Sequence, residues 1–283
     1  MQLRFTKMQG AGNDFVMINA YDHPLSLSRE QIRFVCDRRF GVGCDQMLVV
    51  EKSTLPGVDF KYRIFNQDGG EVEMCGNGAR CFAVFVREEG LTQKRTITCE
   101  TMKGVIAPTV EDDGRVTVDM GRPAFEPASL DFNDEGVSRL TRAADTLYQI
   151  RAGGEDNWVS LVSMGNPHAV RLVGDVDSAP VQEVGEAFQK LKAFAHQVNV
   201  GFLEIVDRSR VRLRVYERGV GETLACGSGA CAAVVAGIRR GALERIVEVD
   251  MRGGRLKISW PADDAPVFLT GPAVTVFHGE IDV

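Results

Sequence analysis

The fold of this chain is decided by one stretch that occurs twice, as MCGNGARC at residues 74–81 and as ACGSGAC at residues 225–231. Their first cysteines, Cys75 and Cys226, lie 226 − 75 = 151 positions apart, about half of the 283 residues. A repeat at this spacing indicates an internal duplication. The sequence before each cysteine supports it, with YRIFNQ at 62–67 matching LRVYER at 213–218 without a gap.

The segment after each cysteine has the composition of a buried helix. Residues 229–238 contain no charged residue, and residues 78–86 contain only Arg80. A helix that is apolar on nearly all faces belongs inside a domain, and about ten residues are too few to cross a bilayer. We therefore predict a central helix in each half, wrapped by sheet, with the cysteine at the helix N-terminus.

The duplication predicts two domains. The composition changes around residues 121–127, which places the boundary there. The N-terminal lobe is predicted to cover residues 1–122 plus 272–283 and to carry Cys75. The C-terminal lobe is predicted to cover residues 123–271 and to carry Cys226. The last predicted strand, at 274–277, is expected to return to the sheet of the first lobe.

The overall composition is that of a globular protein, with 44% hydrophobic and 25% charged residues. The net charge of −6 and the absence of a basic run argue against nucleic acid as a partner. No segment resembles a membrane span or a signal peptide, so a cytoplasmic location is expected. The seven cysteines include no Cys-x-x-Cys pair, which disfavours zinc ribbons and thioredoxin-like sites. No metal or cofactor is predicted.

Two cysteines at matched positions indicate a specific chemistry. A helix N-terminus favours a thiolate, so both thiols are expected to have a lowered pKa. If the halves pack about a two-fold axis, one sulfur would stand on each face of a substrate Cα, as a two-base racemase or epimerase needs. The amides of residues 76–77 and 227–228 would then stabilise the α-carboxylate as it gains enolate character.

Neutral amides accompany the cysteine loops, several of them at matched positions. They are Asn13, Gln46, Asn66, Asn166 and Asn199. Arg218 could bind a carboxylate, Glu217 an ammonium, and His168 could tune a thiol. Taken singly, each asparagine is more simply a turn or cap residue and His168 a core histidine. Delivery at duplicated positions favours the functional interpretation, in which the partner is a small amino-acid substrate.

These residues belong to motifs that resemble those of diaminopimelate epimerase. The motifs are GAGNDF at 10–15, GVGCDQ at 41–46, FN at 65–66, CGNGAR at 75–80, MGNPH at 164–168, ERG at 217–219 and ACGSG at 225–229. The resemblance implies a cofactor-independent epimerase that interconverts LL- and meso-diaminopimelate on the bacterial route to lysine and peptidoglycan. It implies an α/β (α+β) fold of two pseudo-symmetric lobes, each a mostly antiparallel, β-barrel-like sheet around a central helix, usually assembled as a homodimer.

The resemblance also implies a role for each matching residue. Cys75 and Cys226 correspond to the acid/base pair, and His168 and Glu217 to residues that modulate the thiols. The positions that match substrate-binding residues are Asn13, Gln46, Asn66, Gly76, Asn77, Asn166, Asn199, Glu217, Arg218, Gly227 and Ser228. Phe277 stands where some members have a tyrosine at the dimer contact.

Alternative functions start from the same residues. Proline racemases and hydroxyproline epimerases also use two cysteines, but they carry Cys-Gly-His-Gly where Asn77 stands here. A thiol redox sensor would join Cys75 and Cys226 in a disulfide and, unlike an epimerase, would not incorporate solvent deuterium at a substrate Cα. A phosphate-binding role for the glycine-rich turns leaves the two cysteines unexplained, and no Gly-Lys-[Ser/Thr] follows either turn.

Overall fold

The computed structural model describes residues 1–72 and 76–283 and shows a mixed α/β protein made mostly of sheet. It divides into two compact units, one formed by Met1–Asp119 with Thr270–Val283 and the other by Met120–Leu269. The predicted fold class is confirmed. In the described residues the sheets stay open and do not close into barrels.

Strands account for most of the described elements. They are β1 (Gln2–Gly10), β2 (Asn13–Asn19), β3 (Gln46–Glu51), β4 (Phe60–Asn66), β5 (Glu71–Val72), β6 (Cys99–Thr101), β7 (Gly104–Ile106), β8 (Thr109–Val110), β9 (Val116–Asp119), β10 (Arg139–Arg142), β11 (Asp145–Ala152), β12 (Glu155–Ser163), β13 (Pro167–Leu172), β14 (Asn199–Asp207), β15 (Arg210–Glu217), β16 (Gly221–Thr223), β17 (Ile246–Met251), β18 (Gly254–Ser259), β19 (Phe268–Gly271) and β20 (Val274–Asp282). The helices are α1 (Arg29–Cys36), α2 (Gly76–Glu88), α3 (Val181–Gln189) and α4 (Gly227–Arg239), with a short 3-10 helix at Pro127–Leu130.

The strand order shows the duplication directly. In the first unit the sheet runs β20-β1-β2-β3-β4-β6-β7, with β5 beside β4. In the second unit it runs β11-β12-β13-β14-β15-β17-β18, with β16 beside β15 and β10 outside β11. Parallel pairs fall at equivalent places, β2 with β3 and β4 with β6 against β13 with β14 and β15 with β17. Strand β20 therefore takes the place in the first sheet that β11 takes in the second.

The strand register sets which candidate side chains are neighbours. In the first unit Gln46 pairs with Phe15 on β2 and with Asn66 on β4. In the second unit Asn199 pairs with His168 on β13. Asn199 lies 153 residues after Gln46, and its partner His168 lies 153 residues after Phe15, the partner of Gln46. Asn199 therefore occupies the position in the second unit that Gln46 occupies in the first.

The helices that follow the two cysteine motifs are buried, as predicted. Helix α4 has ten buried residues and lies against β12, β13, β14, β15 and β18. Its small side chains, such as Ala232 and Ala233, let the surrounding strands approach closely. Helix α2 lies against β1, β2 and β3, and its Phe82 ring contacts the rings of Phe60 and Tyr62. Burial of these apolar faces holds the helices in place.

Helix α1 is preceded by the capping residue Ser28. The Ser28 hydroxyl accepts a hydrogen bond from the Gln31 backbone N–H, and the Gln31 side chain accepts one from the Ser28 N–H, which is a capping box. The helix ends at Cys36. Arg38 lies in the loop that follows, and its guanidinium forms ion pairs with Asp14 and Asp45. In the described parts of the chain, the helices are all too short or too polar to span a membrane.

Candidate active site

The Cys226 thiol lies at the junction of β16 and α4. Cys226 is the N-cap residue of α4 and is only 4% exposed. Its Sγ donates a hydrogen bond to Glu217 Oε2 at 3.1 Å and lies 3.7 Å from Ser228 Oγ. Glu217 is the last residue of β15. The turn between β15 and β16 reverses the chain, so the start of α4 lies beside the Glu217 carboxylate. The duplicated strand-loop-helix unit thus joins a thiol and a carboxylate.

Both oxygens of the Glu217 carboxylate are occupied. Oε1 accepts a hydrogen bond from the Thr223 hydroxyl at 2.5 Å, and Oε2 accepts from the Cys226 thiol. Sequence analysis missed Thr223, although it lies three residues before the cysteine. The sequence did contain a signal for Thr223, because the duplicated position in the first half is Val72, which has no hydroxyl.

The expected lowering of the Cys226 pKa is wrong. Burial raises the pKa of this thiol well above its ordinary value, and the negative charge and hydrogen bonding of Glu217 raise it further. Hydrogen bonds from Ser228 and from the Gly229 N–H act in the opposite direction and are outweighed. The helix N-terminus is present, but desolvation and a neighbouring carboxylate dominate. Cys226 is therefore a protonated thiol, the form that can give a proton to a substrate.

His168 joins the thiol through two intervening side chains. Its Nε2 lies 3.1 Å from Asn166 Oδ1, and Asn166 Nδ2 donates to Ser228 Oγ at 3.2 Å. Burial, together with the positive charge of Arg218, lowers the pKa of His168 to about 3, so the imidazole is neutral at pH 7. A neutral ring in this position orients Asn166 and Ser228 beside the sulfur.

Asn199 presents a buried amide toward the same loop. Its Oδ1 accepts a hydrogen bond from the Arg218 backbone N–H at 3.0 Å, and the residue is 2% exposed. Within the described residues its Nδ2 has no hydrogen-bond partner, which is uncommon for a buried amide. The Arg218 guanidinium is exposed and donates to the His196 carbonyl at 3.3 Å. These donors are suited to an anionic ligand.

In the first unit, Cys75 lies outside the described residues, which resume at Gly76, the first residue of α2. The candidate amides there form two pairs. Asn77 Nδ2 donates to Asn13 Oδ1 at 3.2 Å, and Gln46 Nε2 donates to Asn66 Oδ1 at 2.8 Å. Asn77 is 4% exposed, and its Oδ1 has no hydrogen-bond partner in the described part of the chain.

A charged cluster, which sequence analysis missed, holds Asn13. Asp45 Oδ2 accepts from Asn13 Nδ2 at 2.9 Å, and Arg38 bridges Asp14 and Asp45 at 2.7 and 2.8 Å. Lys7 adds an ion pair to Asp14 at 2.6 Å. Burial would raise the pKa of Asp14, but hydrogen bonds from Arg38 and Lys7 outweigh it and hold that pKa well below its usual range. A signal was available, since each aspartate is the chain neighbour of a candidate amide.

One ion pair is repeated in the two units. Arg63 binds Glu71 through two hydrogen bonds at 2.9 and 2.8 Å, and Arg214 binds Glu222 through two at 2.6 and 2.8 Å. Both residues of the second pair stand 151 positions after those of the first (214 − 63 and 222 − 71). Such bidentate pairs fix geometry as well as adding energy. They tie the short strands β5 and β16, which lead into the cysteine loops, to β4 and β15.

Two further features of the described residues lie outside this chemistry. A cleft of about 840 Å³ in the second unit is lined by residues of the 3-10 helix, β10 and β11, and by none of the candidate site residues. Within residues 1–72 and 76–283, histidine, cysteine, aspartate and glutamate side chains form no group of three or more that could hold a metal ion.

Comparison with known proteins agrees with the family resemblance of the sequence motifs. A family model described as diaminopimelate epimerase matches residues 5–126 and 160–276. The diaminopimelate epimerase of Ralstonia pickettii is 56% identical over 283 residues, covering 100% of this chain and 97% of that protein. That of Herminiimonas arsenicoxydans is 54% identical and is covered over its full length.

Solved structures share the fold at low identity. A phenazine biosynthesis protein of the PhzF family from Bacillus anthracis has a TM-score of 0.70 at 16% identity, with all of both chains covered. A probable proline racemase from Agrobacterium radiobacter has a TM-score of 0.67 at 16% identity, with 99% of this chain and 92% of that chain covered. At such identities the likeness concerns the fold alone. The family model and the full-length relatives decide the assignment: this chain belongs to the diaminopimelate epimerase family of isomerases.

Proposed function

We propose that this protein epimerises LL-2,6-diaminopimelate to meso-diaminopimelate without a cofactor, with Cys75 and Cys226 as base and acid on opposite faces of the substrate Cα. The observation that carries the proposal is the hydrogen bond from the buried Cys226 thiol to Glu217 at the N-terminus of α4, in a chain of this family. A protonated sulfur beside a helix N-terminus combines a proton donor with backbone N–H groups that stabilise negative charge.

The proposed proton transfers balance over one turnover. The Cys75 thiolate takes the α-proton from one face of the substrate, which leaves a carbanion with enolate character on the α-carboxylate. The Cys226 thiol then gives its proton to the opposite face and becomes a thiolate. Exchange of protons with solvent restores the starting pair, and the reverse reaction exchanges the two roles. The Glu217 carboxylate keeps the proton on Cys226 until the substrate carbanion takes it.

The remaining candidates are proposed to bind and orient the substrate. Asn199, Arg218 and the amides of Gly227 and Ser228 would hold the α-carboxylate, because they are hydrogen-bond donors close to the thiol. His168 would act through Asn166, as a neutral ring that fixes the side chains beside the sulfur. In the first unit, the proposed substrate contacts are Asn13, Gln46, Asn66, Gly76 and Asn77. Burial makes the interactions of Asn77 and Asn199 stronger than they would be in water.

The decisive experiment is solvent isotope incorporation. In D2O and under reducing conditions, each diaminopimelate isomer should gain deuterium at Cα as it is converted to the other. Cys75→Ser and Cys226→Ser should each reduce epimerisation by about 10³-fold or more, since a serine hydroxyl is a far weaker acid and base at this position. Cys99→Ser is the matched control, because Cys99 is a buried cysteine of β6 outside the site, and it should stay within a few-fold of the wild type. Conversion without deuterium uptake would rule out the mechanism.

The alternatives are less well supported. The raised pKa of Cys226 keeps this thiol in the form that reacts slowly with oxidants, which does not favour a redox sensor. The solved structures of a probable proline racemase and a hydroxyproline epimerase are 16% and 14% identical to this chain. The diaminopimelate epimerases are 54–56% identical over the whole chain.

A homodimer in the cytoplasm, acting in lysine and peptidoglycan precursor synthesis, is part of the proposal. Strand β20 is the edge of the first sheet and exposes Val274, Val276 and Phe277 at 45%, 55% and 46%. An exposed apolar edge strand is suited to cover by a second copy of the same chain. Analytical ultracentrifugation should give a dimer for the wild type and a weaker one for Phe277→Asp. Sedimentation of the wild type as a monomer at micromolar concentration would contradict this part.

A further inference from the structure

The hydroxyl of Thr223 has a defined partner in the candidate site. Thr223 ends the three-residue strand β16, and its Oγ1 donates to Glu217 Oε1 at 2.5 Å. The other oxygen of that carboxylate accepts a hydrogen bond from the Cys226 thiol at 3.1 Å. Both Thr223 and Glu217 are half-buried, so water competes only partly for these hydrogen bonds. The carboxylate is therefore held from both sides.

The strand register explains why this contact forms. Thr223 is paired with Val215, so its side chain shares a face with Val215 and with Glu217, two residues further along β15. The first unit has the same hairpin, with Val72 at the position of Thr223 and Asn66 at the position of Glu217. At these two positions the second unit has a hydroxyl and a carboxylate, and the first unit has neither.

The opposite face of the hairpin does not show this difference. Glu71 and Glu222 each form a bidentate ion pair with an arginine of the neighbouring strand. The ion pairs therefore serve a need common to both halves, which is attachment of the short strand. The Thr223 hydroxyl serves a need of the second half alone.

We propose that Thr223 is a positioning residue for the proposed epimerisation: its hydroxyl fixes the Glu217 carboxylate so that one oxygen faces the Cys226 thiol. Rotation about the last side-chain torsion of a glutamate is otherwise soft, and a hydrogen bond to a charged oxygen is strong enough to select one orientation. The hydroxyl of Thr223 bonds Glu217 Oε1 and the thiol bonds Oε2, so Thr223 acts on the sulfur through Glu217. This inference rests on the proposed function.

Two substitutions separate the hydroxyl from the methyl group. Thr223→Val keeps the shape and removes the hydrogen bond, and it should lower kcat for both isomers about tenfold or more with a smaller change in KM. Thr223→Ser keeps the hydroxyl and loses the methyl group, and it should stay within about threefold of the wild type. If Thr223 only fills space, the order reverses, with valine active and serine impaired. That order would overturn the proposal.

A second readout follows the sulfur itself. In a Cys75→Ser background, alkylation of Cys226 by iodoacetamide is followed against pH by mass spectrometry of the peptide. Loss of the Thr223 hydroxyl should shift the midpoint of this profile to lower pH, because Glu217 is no longer held on the thiol. The serine variant should keep the profile of its parent. Identical midpoints for the valine variant and its parent would overturn the proposal.

The control is Thr146→Val, the same change on β11, a strand that pairs with β10 and β12 and not with β15 or β16. It should leave both kcat and the alkylation profile unchanged. The two proposals fail in different ways. If the wild type does not epimerise diaminopimelate, the proposed function fails. If the wild type is active and Thr223→Val matches it, only the role of Thr223 fails.

Discussion

At the scale of single residues, the Cys226 thiol is governed by its neighbours more than by its place on a helix. A helix N-terminus and a carboxylate act on the same sulfur in opposite directions. Because the sulfur is buried, the effects that raise its pKa are the larger ones, and the thiol stays protonated. The thiol is thus in the protonated form that the proposed mechanism requires of a proton donor.

Replacing the carboxylate tests this balance. Glu217→Gln removes the negative charge and keeps an oxygen that can accept a hydrogen bond, so the apparent pKa of Cys226 should fall toward its ordinary value while burial still holds it above. We expect kcat to fall by about 10²-fold. The measurement is the pH profile of Cys226 alkylation in the Cys75→Ser background, with the exposed Glu244→Gln as control. A profile that does not move would show that the charge of Glu217 is not felt by the sulfur.

The buried, neutral His168 predicts a dependence of stability on pH. Its pKa is about 3 in the folded protein and about 6.5 when unfolded. Below pH 6.5 the imidazole is protonated in the unfolded chain, but in the folded chain it stays neutral down to about pH 3. The free energy of unfolding therefore falls as the pH falls from 6.5 to 3. Between pH 6.5 and 4 this residue should account for a loss of about 3 kcal/mol.

The measurement is urea unfolding of wild type and His168→Gln at pH 7 and at pH 4. The variant should lose less stability than the wild type over this interval, by about 3 kcal/mol. The exposed His196→Gln is the control and should follow the wild type. An equal loss in the wild type and His168→Gln would contradict the assignment.

At the scale of elements, the repeated motif predicted the two buried helices with sheet around them, and residues 274–277 were predicted as a strand of the first sheet. The strands β5, β10, β11, β13, β14 and β16 were not predicted. Strand β13 begins with Pro167, which reads as part of a turn, and its parallel partner β14 starts 27 residues after β13 ends (199 − 172). Parallel pairing over such a separation leaves little local signal. Strand β14 is buried without alternation at Asn199–Leu203, so it lacks the period of two that identifies a half-exposed strand.

The candidate site was predicted to a similar degree. Duplication pointed to the cysteines and amides because their types and spacings repeat. It could not show the Thr223–Glu217 hydrogen bond or the cluster around Asp14, since these depend on how turns fold back. The raised pKa of Cys226 was also out of reach, because burial of a particular sulfur follows from packing in three dimensions.

Packing between α3 and β15 gives an element-scale prediction. A Cβ placed on Gly185 would lie 2.2 Å from Tyr216 Cγ and 2.4 Å from Cδ2. Gly185→Ala should therefore destabilise the protein by about 2 kcal/mol despite the better helix propensity of alanine. It should also lower epimerase activity, because Tyr216 immediately precedes Glu217 on β15. The measurements are urea unfolding and kcat.

Gly174→Ala is the matched control, because a Cβ there meets nothing within 4 Å. It should change the free energy of unfolding by less than about 0.5 kcal/mol. Wild-type stability in Gly185→Ala would mean that the α3–β15 contact is looser than the structure shows.

At the scale of the whole molecule, duplication has kept the framework and changed the site. Strand order, parallel pairs and arginine–glutamate ion pairs repeat in the two units. The groups beside the two cysteine loops differ, with a glutamate and threonine in the second unit where the first has an asparagine and valine. The two similar halves therefore differ in the charge beside their matched motifs, because the second unit has the acidic Glu217 where the first has the neutral Asn66.

Strand β20 predicts an uneven response to truncation. It pairs with β1 over most of its length, and the backbones of Met1 and Val283 exchange hydrogen bonds at 2.8 and 2.9 Å. Removing residues 274–283 should expose β1 and raise amide hydrogen exchange in β1 and β2 by at least tenfold. The strands β12 to β15 of the second unit should keep their protection. Equal loss of protection in both units would contradict this, and Phe277→Ala should give only a mild effect as a control.

The pairing of β1 with β20 also has a consequence during translation. Residues 120–269 contain every strand from β10 to β18, and all of them precede β20 in the chain. The N-terminal unit begins first, but its sheet receives the edge strand β20 only after the whole second unit has been synthesised. In a nascent chain, β1 is therefore without its pairing strand while the second unit is being made.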